Sequence, residues 1–198
     1  TLMKTSIDST TAFWEYREQI KNITFEDVID IPDDAYKSWD VSQTGNGKVM
    51  AYIIPNSSDS SYYDLYIQGD EYIYANNDSA WLFYNFKNVD SIKNINLLNT
   101  SNVTNMSAMF RRTGYNSMVF TLNLGDNFDT SKVTGMGGMF EDTGYSSKSF
   151  TLDLGDKFDT SKVTYIGAMF LRTGYKSKVF TLDLGDKFDT SNVSNMED

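Results

Sequence analysis

From Thr100 onward the chain repeats itself every 30 residues, and a period of that length restricts the fold to an array of stacked supersecondary units. The first unit runs from Thr100 to Asp129, the second occupies 130–159, the third 160–189, and TSNVSNMED opens a fourth over 190–198. The second and third units agree at 23 of 30 positions. Upstream, WLFYNFKNVDSIKNINLLN reads as a degenerate unit over 81–99, with Leu82 and Phe83 standing where the next unit has Met109 and Phe110. The spacing there is 27 residues, and the shortfall is assigned to a missing GDN-type insertion just before Asn99, Thr100 and Ser101, as in an irregular terminal repeat.

Within one unit, Phe150, Leu152 and Leu154 recur at i, i+2 and i+4, so FTLDLG forms a short strand with one apolar face. Copies connected in one sense stack as a parallel sheet at about 4.8 Å per unit, which brings Phe120, Phe150 and Phe180 into one internal column. On the return path, Val133, Met136, Met139 and Phe140 follow a helical spacing behind Thr130 and Ser131, whose hydroxyls suit a cap. Gly137 and Gly138 reduce this to a short or 3₁₀-like turn facing the sheet. Apolar neighbours make the methionine row core filler.

The first half differs. Residues 1–98 carry 15 acids and 7 bases, against 12 and 10 in 99–198. TAFWEYREQI has helical spacing, KVMAYIIP and YYDLYIQGDEYIYA read as strands, and Pro32 and Pro55 punctuate turns. The expected fold class is α/β: a small N-terminal α/β cap over 1–80, followed over 81–198 by a leucine-rich-repeat-like solenoid with a parallel sheet of one short strand per 30-residue repeat.

The segments NTSNVTNMSAMF, FDTSKVTGMGGMF and FDTSNVSNM resemble the repeats of BspA-like bacterial surface proteins, relatives of leucine-rich repeats. Trp39, Asp40, Val41 and Ser42, followed by AYII and LYIQGD, are similar to that family's N-terminal cap. The resemblance implies a secreted or cell-surface protein of Gram-positive bacteria, mycoplasmas or some protists, with an adhesion or interaction role. This chain departs from the family in using 30 residues per unit instead of about 25, through its TGY and GD segments, and in lacking an anchor motif.

Composition narrows the chemistry. Neither cysteine nor histidine is present, which removes disulfides, Cys/His zinc sites, thiol nucleophiles and imidazole catalysis. A net charge of −10 repels phosphate backbones and anionic lipid, so neither nucleic acid nor membrane insertion is expected. Thr1 at the start and NVSNMED at the end suggest an excised fragment.

Two sets of residues are candidates for partner binding. Tyr115, Tyr145 and Tyr175 recur in the TGY turn and form either an adhesive stripe or a cover over the end of the core. Arg111 and Arg112 become Glu141 and Asp142, then Leu171 and Arg172; such variation in a fixed frame marks solvent exposure, as a partner-binding edge or as a drifting surface. Asp153, Asp156, Asp183 and Asp186 supply oxygen ligands suited to calcium, the one candidate ion, or else make Asx turns and face solvent. Glu15 with Glu18, or Asp33 with Asp34, could act as a carboxylate pair, but no cleft is evident around them.

The expected function is a non-enzymatic, extracellular interaction or adhesion protein whose partner is a host or neighbouring-cell protein or glycan. The alternatives are a cell-wall spacer and a carbohydrate-binding module using the tyrosines. Self-association through the open C-terminal repeat, where Phe180, Leu182 and Leu184 lack a following strand, is a further expectation.

Overall fold

The computed structural model describes residues 1–197. Alternating apolar residues in each half build strands that join one eight-stranded sheet. The N-terminal segment supplies β1 (Ile20–Glu26), β2 (Lys37–Asp40), β3 (Val49–Pro55), β4 (Tyr63–Gly69) and the two-residue β5 (Ile73–Tyr74). The repeats supply β6 (Ser91–Lys93), β7 (Leu98–Asn99), β8 (Val119–Asn123), β9 (Ser149–Asp153) and β10 (Val179–Asp183). The sheet order is β10-β9-β8-β6-β1-β4-β3-β2, while β5 and β7 form a separate parallel pair. From β10 to β4 all pairings are parallel; β4-β3-β2 is an antiparallel meander.

The fold is thus mainly β, with regularly spaced, largely parallel strands and almost no helix. This corrects the α/β expectation. TAFWEYREQI forms only a 3₁₀ turn at Ala12–Tyr16, which buries Phe13 and Trp14. Ile20 already belongs to β1, a strand hidden from the periodicity by an irregularity in pairing between Ile20 and Asn22. The turn is fixed to the repeats by the Trp14 indole, which donates to the Leu82 carbonyl at 2.8 Å.

The stacking expected of the repeats is present residue for residue. Phe120, Thr121 and Leu122 pair with Phe150, Thr151 and Leu152, and these with Phe180, Thr181 and Leu182. The rings of Phe120, Phe150 and Phe180 stack at 5.4 and 5.3 Å. A second column, Phe83, Phe110, Phe140 and Phe170, stacks at 5.4, 5.7 and 5.6 Å. Met106, Met109, Met136 and Met139 are fully buried beside it, as core filler.

The return path is not helical. Turns close from Val133 N–H to the Thr130 carbonyl and from Met139 N–H to the Met136 carbonyl, at 2.9 and 3.1 Å. From Met136 onward, Met136, Gly138, Phe140 and Asp142 each donate their N–H to the next coil at 2.9 Å. Every second amide therefore runs along the stack instead of along the chain. The conformation needs a left-handed residue at Gly138, which Ala108 and Ala168 also adopt at φ 54° and 55°, costing about 1–2 kcal/mol each. Spacing of three and four residues reflects these successive turns, not a helix face.

The hydroxyl expected to cap this segment acts elsewhere. Thr130 Oγ1 donates to the Asp159 carbonyl of the following coil at 2.8 Å and accepts from Asp159 N–H at 2.7 Å. Thr160 repeats the arrangement with Asp189 at 2.7 and 2.6 Å. The local capping is done instead by the aspartate before each threonine, as where Asp159 Oδ1 accepts from Ser161 N–H at 2.8 Å. Hydrogen bonding from the Ser161 side chain, and then from its backbone N–H, holds the Asp159 carboxyl below the usual carboxylate range.

Pairings across coils also place the missing residues of the degenerate unit. Phe83 meets Phe110, a separation of 27, but Ser91 meets Thr121, a separation of 30. The shortfall therefore lies between Phe83 and Ser91, ahead of β6, and not before Asn99.

Phe150→Ala removes the middle ring of the first column and is expected to cost about 3–5 kcal/mol in denaturant unfolding, whereas a loss below about 1 kcal/mol would contradict its packing. Phe180→Ala, at a ring 40% exposed, is expected to cost less than half as much.

Candidate functional site

The TGY turn leads out of the core and is held at both sides. Thr143 Oγ1, buried, donates to the Phe110 carbonyl of the preceding coil at 2.7 Å, and Gly144 N–H donates to the Thr113 carbonyl at 3.0 Å. The next side chain in each coil is then carried outward in register. Tyr115 and Tyr145 stack at 4.7 Å with planes 1° apart, and Tyr145 and Tyr175 at 5.5 Å and 20°. Tyr175 is 67% exposed and the other two are half-buried. Arg112 lies 5.3 Å from the centre of the Tyr115 ring, and Lys176 Nζ 5.0 Å from that of Tyr145. The tyrosines form a cation-flanked outer column whose faces are turned mainly to one another. That leaves ring edges for contact, which suits protein side chains better than the broad ring faces on which sugars stack.

The positions that vary between coils are not a free edge. Arg111 Nη2 bonds Glu141 Oε1 at 2.8 Å, and Arg172 Nη2 bonds Asp142 Oδ2 at 3.0 Å. Arg172 Nε also lies 2.9 Å from Asp142 Oδ1 as an ion contact without hydrogen-bond alignment. Weaker approaches at 3.9 Å join Arg112 to Asp142 and Arg172 to Glu141. Glu141 and Asp142 are buried, at 7% and 4% exposure, which corrects the expectation of a solvated surface. Burial of two adjacent carboxylates is stabilised here because basic side chains approach from both neighbouring coils. Leu171 belongs to neither set of contacts and lines an apolar hollow at the last coil with Ile166, Phe170, Leu182 and Met196. There β10 is paired on one side only, and Phe180 and Leu182 are 40% and 37% exposed.

The aspartates considered for calcium are engaged locally. Asp153 Oδ1 accepts from Gly155 N–H at 3.0 Å, and Asp183 Oδ1 does the same with Gly185. Asn123 makes the equivalent bond at 2.8 Å, so a neutral amide serves the turn equally well. Gly155 has φ +74°, and a Cβ there would come within 2.3 Å of the Gly125 carbonyl oxygen, so close stacking and positive φ both demand glycine. Asp153 and Asp183 stand opposite each other on β9 and β10, while Asp156 and Asp186 are exposed in the following turns. Among the described residues, no three acidic side chains converge on a metal-sized site.

The carboxylate pairs in the cap lie apart from any such convergence. Glu18 is paired with Lys87 at 2.8 Å, and Asp33 and Asp34 are exposed in a turn. A cleft of about 640 Å³, not legible in the sequence, opens beyond the C-terminal ends of β1 and β4 and is lined by Glu26, Asp30, Tyr52 and Gln68. Its central polar group is satisfied: Gln68 Nε2 donates to Glu26 Oε2 at 2.6 Å and to the Asp30 carbonyl at 2.9 Å. Burial, assisted by the nearby Glu26 and Asp30 charges, pushes the Tyr52 hydroxyl up to about 12.

Replacing Glu141 by Arg places like charges together and is expected to destabilise the fold by about 2–4 kcal/mol, while the exchange Arg111→Glu with Glu141→Arg restores at least half of that loss. Equilibrium unfolding of the two single variants and the double variant measures the coupling. Addition of calcium or of a chelator is expected to leave the melting midpoint unchanged; a rise with calcium would show a bound ion that these turns do not prefigure.

Comparison with curated proteins and with solved structures finds no match. A family model does match, over residues 77–198, the stretch that contains the degenerate coil and every later one. Stacked coils with one parallel strand each are therefore the form taken here by that family's sequence pattern, and the chain belongs to the family described as Mycoplasma protein of unknown function, DUF285.

Proposed function

We propose that the chain is a non-enzymatic interaction protein of the bacterial cell surface, and that the Tyr115, Tyr145 and Tyr175 column is the part that meets a partner protein. The observation that carries this reading is the stacking of three tyrosines outside the core, at 4.7 and 5.5 Å, on turns locked by buried threonines. Rings already ordered in the free protein lose little entropy on contact, and tyrosine gives large amphipathic area for few rotatable bonds. The resemblance of the repeats to BspA-like surface proteins supports an extracellular setting and an adhesive role. Among the described residues, no helix is long and apolar enough to cross a membrane.

The test is attachment to an array of matrix proteins, host-cell surface proteins and glycans. Tyr115→Ser, Tyr145→Ser and Tyr175→Ser combined are expected to lower attachment about tenfold or more while shifting the melting midpoint only slightly. A chain that attaches to nothing on the array, or a triple variant that attaches as the parent does, would favour a role as a spacer. Attachment confined to glycans would favour the carbohydrate-binding alternative.

A further inference from the structure

The tyrosine column borders a patch whose charge is opposite to that of the chain as a whole. Lys148 and Lys178 occupy the same place in successive coils, joined by the bond from Lys178 N–H to the Lys148 carbonyl at 3.0 Å. Lys176 stands beside them against Tyr145. All three lysines are exposed, and among the described residues none has a carboxylate oxygen within 4.0 Å. Like charges held one coil apart repel by about 1 kcal/mol in water. In a chain of net charge −10, this patch is where an approaching acidic group is drawn.

The patch is not only cationic. Val179, directly after Lys178 at the start of β10, is 58% exposed, and at the same two places two coils earlier Met118 and Val119 are 54% and 61% exposed, with Ser149 following Lys148 between them. Tyrosine edges, exposed valines and unpaired lysines in one strip make an amphipathic cationic surface. A sugar or phosphate polymer has little to place against the valines. A long, uniform polyanion reaching beyond the strip would also meet the repulsion of a chain of net charge −10. A short acidic protein segment with interspersed apolar side chains satisfies both the charge and the apolar contacts without meeting that repulsion.

Building on the proposed interaction role, we infer that the partner surface recognised by the tyrosine column is a short acidic, apolar-interspersed protein segment, held electrostatically by Lys148, Lys176 and Lys178. The probes are an array of soluble acidic peptides carrying Leu or Phe between Glu and Asp residues, the same peptides with every acid replaced by Gln or Asn, and heparin. Binding is expected to the acidic peptides and not to their amide counterparts, and to weaken about tenfold or more in the Lys148→Glu, Lys176→Glu, Lys178→Glu variant. It is also expected to weaken on raising salt from about 0.05 to about 0.5 M. The variant changes exposed residues only, and an unchanged melting midpoint confirms that it is folded. No binding to the acidic peptides, equal binding by the amide peptides, equal binding by the charge-reversed variant, or tighter binding of heparin than of any peptide would each overturn the inference. If the tyrosine variant loses array attachment while the lysine variant keeps it, the interaction role stands and the acidic partner does not.

Discussion

The whole molecule depends on one constraint: a coil with an apolar inner face has nothing to bury it against except another coil of the same shape. Phe150 is sealed by Phe120 on one side and Phe180 on the other, and the ladder amides of β9 are satisfied only by β8 and β10. The polar interior follows the same rule. Thr130 bonds forward to Asp159 and Thr143 bonds back to Phe110, so each coil is tied in both directions by hydroxyls that would be unsatisfied in a lone repeat. A chain built this way needs a different solution where the series begins. The antiparallel meander of β2, β3 and β4 is that solution, since it ends the sheet on a short edge strand bearing Lys37 and Asp40.

The strand columns were legible in the sequence because a period of two inside a period of 30 leaves little freedom: Phe, Leu and Leu at alternating places in every copy must share a face. The return path was legible as short turns from Gly137 and Gly138, but not in its bonding: the amides of Met136, Gly138 and Phe140 donate to the next coil, which the three-residue spacing of one copy does not show. The buried threonines read as caps, since their true acceptors lie a whole coil away. β1 was missed because its pairing irregularity at Ile20 and Asn22 breaks the alternation that identifies a strand. The tyrosine column was visible as a recurrence, but its mutual stacking required the turn geometry. Substitutions at 111, 141, 142 and 172 look like drift when the copies are aligned as text, and become ion pairs only when they are laid on one another.

Differences between otherwise similar coils thus fall into two physical classes. At 111–112, 141–142 and 172 the side chains answer one another across coils, and Glu141 and Asp142 are drawn inward, where each acid has a base within reach. At 116, 146 and 176, and at 118, 148 and 178, no ion pair within the described residues ties them, and they stand at the surface as Asn, Ser and Lys and as Met, Lys and Lys. The frame is constant enough for the second class to be changed without disturbing the first. A surface on such a frame can alter its charge and apolar content while its geometry stays fixed by the column beneath it.

The inward class has a consequence for assembly. Copies that agree at most positions are nearly interchangeable, so nothing in the phenylalanine columns prevents the third coil from settling directly on the first, or a coil of another molecule from intruding. Either error would bring Arg172 toward Arg111 and Arg112 with no acid between them, whereas the native order inserts Glu141 and Asp142. The alternation of base, acid and base sets like charges against the wrong successions, as an address written across a series of look-alike units.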